Sequence, residues 1–98
     1  ELELVHEELM LATSDGEQIH ARWVPSPHAI GSVIYFHGNG GNLGDAHPIA
    51  RRFSSLNVNV LLVDYRGYGL SSGVPSEAGL YIDARTAYDY LTQERHIT

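Results

Sequence analysis

Between residues 3 and 12, Val5, Leu9 and Leu11 are set against Glu8 and Met10 in an imperfect alternation that stops at Thr13-Ser14-Asp15-Gly16. Alternation with a period of two is the mark of a strand with one buried face, and an Asp-Gly step is a strong turn signal. Ile19, Ala21 and Trp23 then alternate with Gln18, His20 and Arg22, until Pro25 and Pro27 forbid further strand by removing N–H donors. The two runs predict an antiparallel hairpin.

The next apolar segment has a different character. Ser32-Val33-Ile34-Tyr35-Phe36 is nearly continuous, as expected of a central parallel strand covered on both faces. A glycine-rich loop, His37 to Gly44, follows, and Ile49, Ala50, Phe53 and Leu56 then mark one face of a helix. Pro48 fits only in the first turn of that helix, and Asn57 suits a left-handed residue after it. Val58-Asn59-Val60-Leu61-Leu62-Val63 supplies another strand, closing a right-handed βαβ unit. Tyr65 to Gly73 is loop, Ser76 is a candidate cap, and Leu80, Ala84, Ala87, Tyr88 and Leu91 predict a second helix running to about Thr92. No strand follows that helix, so a crossover without a destination is expected to leave a sheet edge bare.

The fold class is therefore α/β. At 98 residues the chain allows one small domain, 1–98; a domain of this size buries about 60 to 65% of its unfolded surface. Cysteine and lysine are absent, which removes disulfides, thiolate chemistry, Schiff-base lysines and the P-loop lysine from this chain. The net charge is −6 and the six basic residues are scattered arginines, so nucleic acid is not an expected partner. No stretch approaches the roughly 20 apolar residues of a membrane span, and the expectation is a soluble, cytoplasmic protein.

Two motifs change the picture. Phe36-His37-Gly38-Asn39-Gly40-Gly41-Asn42 leaves the end of a parallel strand, where open α/β sheets place their ligands. Glycines there let backbone N–H groups point into a cleft, as an oxyanion hole requires. Asp64-Tyr65-Arg66-Gly67-Tyr68-Gly69-Leu70-Ser71-Ser72-Gly73 follows the second parallel strand. Together they resemble the α/β-hydrolase superfamily, whose third strand ends in His-Gly-x and whose fourth ends in Asp-x-Arg-Gly-x-Gly-x-Ser before a Pro-containing segment. The form of the first motif is similar to the serine-hydrolase branch of BEM46-like and ABHD-type proteins, and the resemblance covers essentially the whole chain.

That resemblance implies the first half of an α/β-hydrolase sheet, with the backbone N–H of Asn39 as one oxyanion donor and Gly38, Gly40 and Tyr68 near the substrate. It also implies that the nucleophile, acid and base lie beyond Thr98, so that the chain alone is expected to be inactive while its parent cleaves an ester, thioester or related acyl bond. The substrate would be a small-molecule or lipid acyl ester. No cofactor and no metal site is expected: His37 and Asp64 should be neighbours, but two side chains make a poor metal site. The remaining histidines, at 6, 20, 28, 47 and 96, read as isolated surface residues, and Asp64 with Arg66 as a loop-fixing pair.

Gly69-Leu70-Ser71-Ser72-Gly73 spells the nucleophile-elbow pattern, but an elbow needs a strand running straight into its first glycine and a helix directly after its serine. Ser71 has neither. A dinucleotide-binding module is the rival reading, because Asp64 stands 20 residues after Gly44, although Leu43 occupies a position where the glycine fingerprint demands glycine. A third reading is a non-catalytic interaction module of truncated hydrolase fold, self-associating through the edge at Ser32 to Phe36.

Overall fold

The computed structural model describes residues 6 to 37 and 46 to 95. Strands Glu7–Ala12 (β1), Gln18–Val24 (β2), Gly31–His37 (β3) and Val58–Asp64 (β4) are joined by helix His47–Ser55 (α1), and β4 is followed by helix Glu77–Asp89 (α2). A single π-helical turn, Tyr90–Glu94, extends α2. The strands lie in the order β1-β2-β4-β3. β1 runs antiparallel to β2 and β2 antiparallel to β4, whereas β3 and β4 are parallel and in register from Gly31 beside Val58 to His37 beside Asp64.

The hairpin forms where its turn residues dictate. Gly16 takes φ +96°, the left-handed region in which glycine is least strained. Thr13 Oγ1 donates to Asp15 at 2.6 Å and accepts the Glu17 N–H at 2.8 Å. Both helix predictions are met at their ends: Pro48 sits in the first turn of α1, Asn57 has φ 63°, and Ser76 accepts the Gly79 N–H as the cap of α2.

The centre of the sheet is β4. Paired on both edges and covered on both faces, it has Val60, Leu61, Leu62, Val63 and Asp64 fully buried. On one face Val60 and Leu62 join Val24, Val33, Tyr35 and α1's Ala50 and Phe53. On the other, Leu61 and Val63 pack with Ile19, Ala21, Trp23, Ile34 and Phe36 against Ala87 and Leu91 of the C-terminal helix. The two helices thus cover opposite faces.

One expectation is sharpened and one corrected. The continuous apolar run of β3 suggested a central strand of the family's sheet with its Ser32 to Phe36 edge bare in this chain, and β3 is the outer strand of the described sheet, with Ser32 to His37 only half-buried. Its apolar content reflects helices on both faces, which says nothing about strand edges. The buried stripe of α2 and its extension is Gly79, Asp83, Ala87 and Leu91, while Tyr88 is 55% exposed and Leu80 and Ala84 are half-buried. A buried aspartate is invisible to a rule that counts apolar residues.

Candidate active site

The carboxyl ends of the two parallel strands lie side by side. His37 closes β3 and Asp64 closes β4, with Nδ1 3.2 Å from Oδ1. The side chain of Asp64 is fully buried and that of His37 nearly so. Their adjacency was legible in the sequence. The glycine-rich segment between His37 and Ala46 contains Gly38, Asn39 and Gly40, and these three lie outside the described residues.

The loop after β4 is fastened to β2. Ser71 Oγ donates to the Asp64 carbonyl at 2.7 Å and accepts the His20 N–H at 2.8 Å. Ser72 repeats the pattern one residue on: its Oγ donates to Glu17 and accepts from the Gln18 N–H, while its own N–H donates to the Gln18 carbonyl. Close packing leaves no room for side chains at the loop glycines. At Gly69, with φ +54°, a Cβ would fall 2.0 Å from Asp64 Oδ2. Tyr65 stacks on Phe36 with ring centroids 4.6 Å apart, and burial, followed by the charge of Asp83, pushes its phenol pKa up. Tyr68 is half-buried within this loop.

Asp64 and Arg66 do fix the loop, but through different partners. The Arg66 guanidinium, 5% exposed, holds Asp83 of α2 through Nε at 3.0 Å and Nη2 at 2.8 Å. It holds Asp15 of the hairpin turn through Nη1 at 2.7 Å and Nη2 at 3.1 Å. The Arg66 N–H also donates to Asp83 at 2.8 Å. Hydrogen bonds from Arg66 and then Thr13 hold the Asp15 carboxyl down at about 2, and the same carboxylates push the guanidinium pKa up. One buried cation therefore joins turn, loop and helix.

Sequence reasoning missed a second cluster on the α1 face. His20, 8% exposed, is not a surface histidine: its Nε2 lies 2.7 Å from Glu8. Glu8 also accepts from Arg22 Nε and lies 3.3 Å from His6 Nε2. Burial raises the Glu8 pKa, but the bonds from His20 and Arg22 outweigh it and the net direction is down. Arg22 Nη1 in turn reaches His47 Nδ1 at 3.2 Å, and the His6 and His47 rings meet edge to face at 5.6 Å. The signal was present in the alternation of β2, which puts His20 and Arg22 on the face of Val24 and Leu62. His28 is exposed, and His96 lies outside the described residues. Among the described residues, no three His, Asp or Glu side chains converge as a metal site, and no helix is long and apolar enough to cross a membrane.

An antiparallel hairpin followed by a parallel pair, in the order β1-β2-β4-β3 with helices on both faces, is the opening of the α/β-hydrolase fold. A Rossmann half has no place for an antiparallel strand beside β4. The comparisons agree. No protein-family model matches the chain. It is 55% identical over 69 residues to Protein bem46 of Schizosaccharomyces pombe, covering 69% of this chain and 23% of that protein. It is 36% identical over 94 residues to the alpha/beta hydrolase domain-containing protein WAV2 of Arabidopsis thaliana, covering 93% of this chain and 30% of the relative. Among solved structures, an alpha-beta hydrolase from Vibrio vulnificus superposes with a TM-score of 0.79 at 27% identity, covering 94% of this chain and 31% of that one. The chain thus belongs to the α/β hydrolases, in their BEM46-like branch, and spans less than a third of the length of each of these three proteins.

Proposed function

We propose that residues 1–98 are the amino-terminal part of one serine-hydrolase domain and contribute the oxyanion side of its active site. The observation that carries this reading is the pairing of His37 with Asp64 at the carboxyl ends of adjacent parallel strands, from which the His37-Gly38-Asn39-Gly40 segment departs. A segment leaving that point lies where α/β sheets bind ligands. The backbone N–H of Asn39 is the oxyanion donor in this reading, with Gly38 and Gly40 permitting its approach and Tyr68 facing substrate. Stabilising charge that develops on an acyl carbonyl is the largest single contribution such a site makes.

Ser71 is not the nucleophile in this reading. Both sides of its hydroxyl are engaged by backbone groups, and among the described residues the only non-glycine with positive φ is Asn57, so Ser71 carries none of the strain of an elbow. The nucleophile, acid and base belong to the remaining two thirds of a protein as long as the relatives. The bond cleaved is an ester, thioester or related acyl bond of a small or lipid substrate.

A fluorophosphonate probe separates these roles. The full-length parent should label at a serine outside residues 1–98, and the 98-residue chain should not label; modification at Ser71 would overturn the assignment. The half-buried outer edge of β3 favours a second reading, in which the isolated chain pairs through Ser32 to Phe36. Sedimentation of the isolated chain as a concentration-dependent oligomer is the expected result, and a monodisperse monomer contradicts it.

A further inference from the structure

We propose that the outer edge of β1 is a self-recognition surface: two copies of this chain join there, β1 antiparallel to β1, into one continuous sheet. The hairpin ladder decides which groups that edge offers. Thr13 N–H donates to the Glu17 carbonyl at 2.9 Å, and bonded pairs recur at every second residue of an antiparallel ladder. Leu11 with Ile19, Leu9 with Ala21 and Glu7 with Trp23 are therefore the bonded pairs. Ala12, Met10 and Glu8 aim their N–H and C=O groups away from β2, and no described strand lies on that side. The parity of β2 agrees, because Gln18 and His20 turn their N–H groups the other way, onto Ser72 and Ser71 of the loop after β4.

The strand carries none of the usual obstructions. Edge strands are commonly blunted by lysine, proline or a bulge; β1 contains neither residue, and its register with β2 is unbroken from Glu7 to Ala12. Its two acidic side chains are turned to bonds within the chain, Glu7 with Arg95 and Glu8 with Arg22 and His20. The outward residues are centred on Met10, so a twofold axis there pairs all of them, Met10 with Met10 of the second copy and Glu8 with Ala12. No glutamate faces a glutamate. Leu9 then meets Leu11 on the α2 face at the closer, non-bonded spacing, and Met10, 50% exposed, is covered on the other. The helices extend the match. An open groove of about 670 Å³ separates the end of β1 from α2 and is lined by Leu11, Thr13, Tyr81, Arg85, Tyr90 and Glu94. Arg66 joins Asp15 to Asp83 at one end of the α2 and β1 pair, and Arg95 reaches Glu7 at the other, which sets Tyr90 level with Met10. The axis therefore passes near Tyr90, and Arg85 of one copy comes toward Glu94 of the other. Asp89, beside the axis, carries its own counter-ion in Arg85, 3.0 Å away. Any other partner would have to reproduce this symmetry, which a second copy has by construction.

The interface is independent of the hydrolase reading and of pairing through β3, and the full-length parent tests it. Sedimentation equilibrium should give a dimer. Met10→Lys sets two ammonium groups face to face on the axis and should raise the dissociation constant about a hundredfold, with far-ultraviolet circular dichroism unchanged. Residues 1–98 contain no cysteine, so single variants read the register directly. In Met10→Cys a short bismaleimide should join the two copies, the linked peptides being identified by mass spectrometry; in Ser14→Cys, whose two copies would stand about 26 Å apart, it should not. A monomeric parent overturns the proposal, and that result requires no variant to fold. A dimer that M10K leaves intact, or in which M10C fails to link, overturns it equally.

Discussion

Two arginines on adjacent elements do the same mechanical work with different chemistry. Arg66 joins the hairpin turn, the loop after β4 and α2 by gripping two carboxylates; Arg22 joins β1, β2 and α1 by gripping one carboxylate and one imidazole. The first network satisfies its buried charge with opposite charge, and its weak point is protonation of a carboxylate. The second has one carboxylate, Glu8, shared by Arg22, His20 and His6, and an imidazole as the other partner of Arg22. A cross-link is thus compensated by two carboxylates on a buried guanidinium near the loop after β4, and by one half-exposed carboxylate near α1.

The comparison breaks most severely at Asp83. Removing Asp83 leaves the buried Arg66 guanidinium with Asp15 alone and strips the partners from its Nε and backbone N–H, at a cost of about 2 to 3 kcal/mol. Asp83→Ala should therefore lower unfolding stability in denaturant by that amount, whereas Glu8→Gln, at a half-exposed pair, should stay within about 1 kcal/mol. Equal losses would remove the distinction between the networks. Gly69→Ala comes next: a Cβ 2.0 Å from Asp64 Oδ2, at positive φ, forces the loop or the carboxylate to move. About 2 kcal/mol is the expected loss, together with a disturbed His37 ring resonance in NMR; an unperturbed His37 would uncouple the loop from the strand-end pair. Ser76→Ala removes a helix cap and should cost about 1 kcal/mol by the same unfolding measurement, without touching either network's pH response.

The smallest effect is the acid limb. Asp15 has its carboxyl lowered from 3.8 to about 2 by Arg66 and Thr13. A depressed folded-state value means that the unfolded chain binds its proton first, so this contribution is intact above about pH 4 and is lost as pH falls toward 2. Asp15→Asn should flatten stability over that window alone. A change in the pH 5 to 8 range instead would show that the effect does not come from the Asp15 carboxyl.

Period and punctuation made most of the fold legible. Alternation located β1 and β2, Asp-Gly located the turn, and Pro48, Asn57 and Ser76 marked helix ends, because each of those residues is favoured locally for reasons independent of the rest of the chain. Strand order was not available from the pattern: β3 and β4 both read as continuous apolar runs, and only the pairing distinguishes the edge strand from the centre. The polar interior escaped for the same reason. Asp83 and His20 are buried because Arg66 and Glu8 reach them from elements 17 and 12 residues away in sequence, and a local rule assigns such residues to the surface. The His37 and Asp64 pair was legible because both terminate neighbouring strands.

The most direct test of the central claim is the structure of the full-length parent after reaction with a phosphonate inhibitor. The account predicts the phosphoryl oxygen about 2.7 to 3.1 Å from the Asn39 backbone nitrogen, with His37 still on Asp64. A phosphoryl oxygen held by other donors, with the Asn39 N–H turned onto a protein carbonyl, would contradict it.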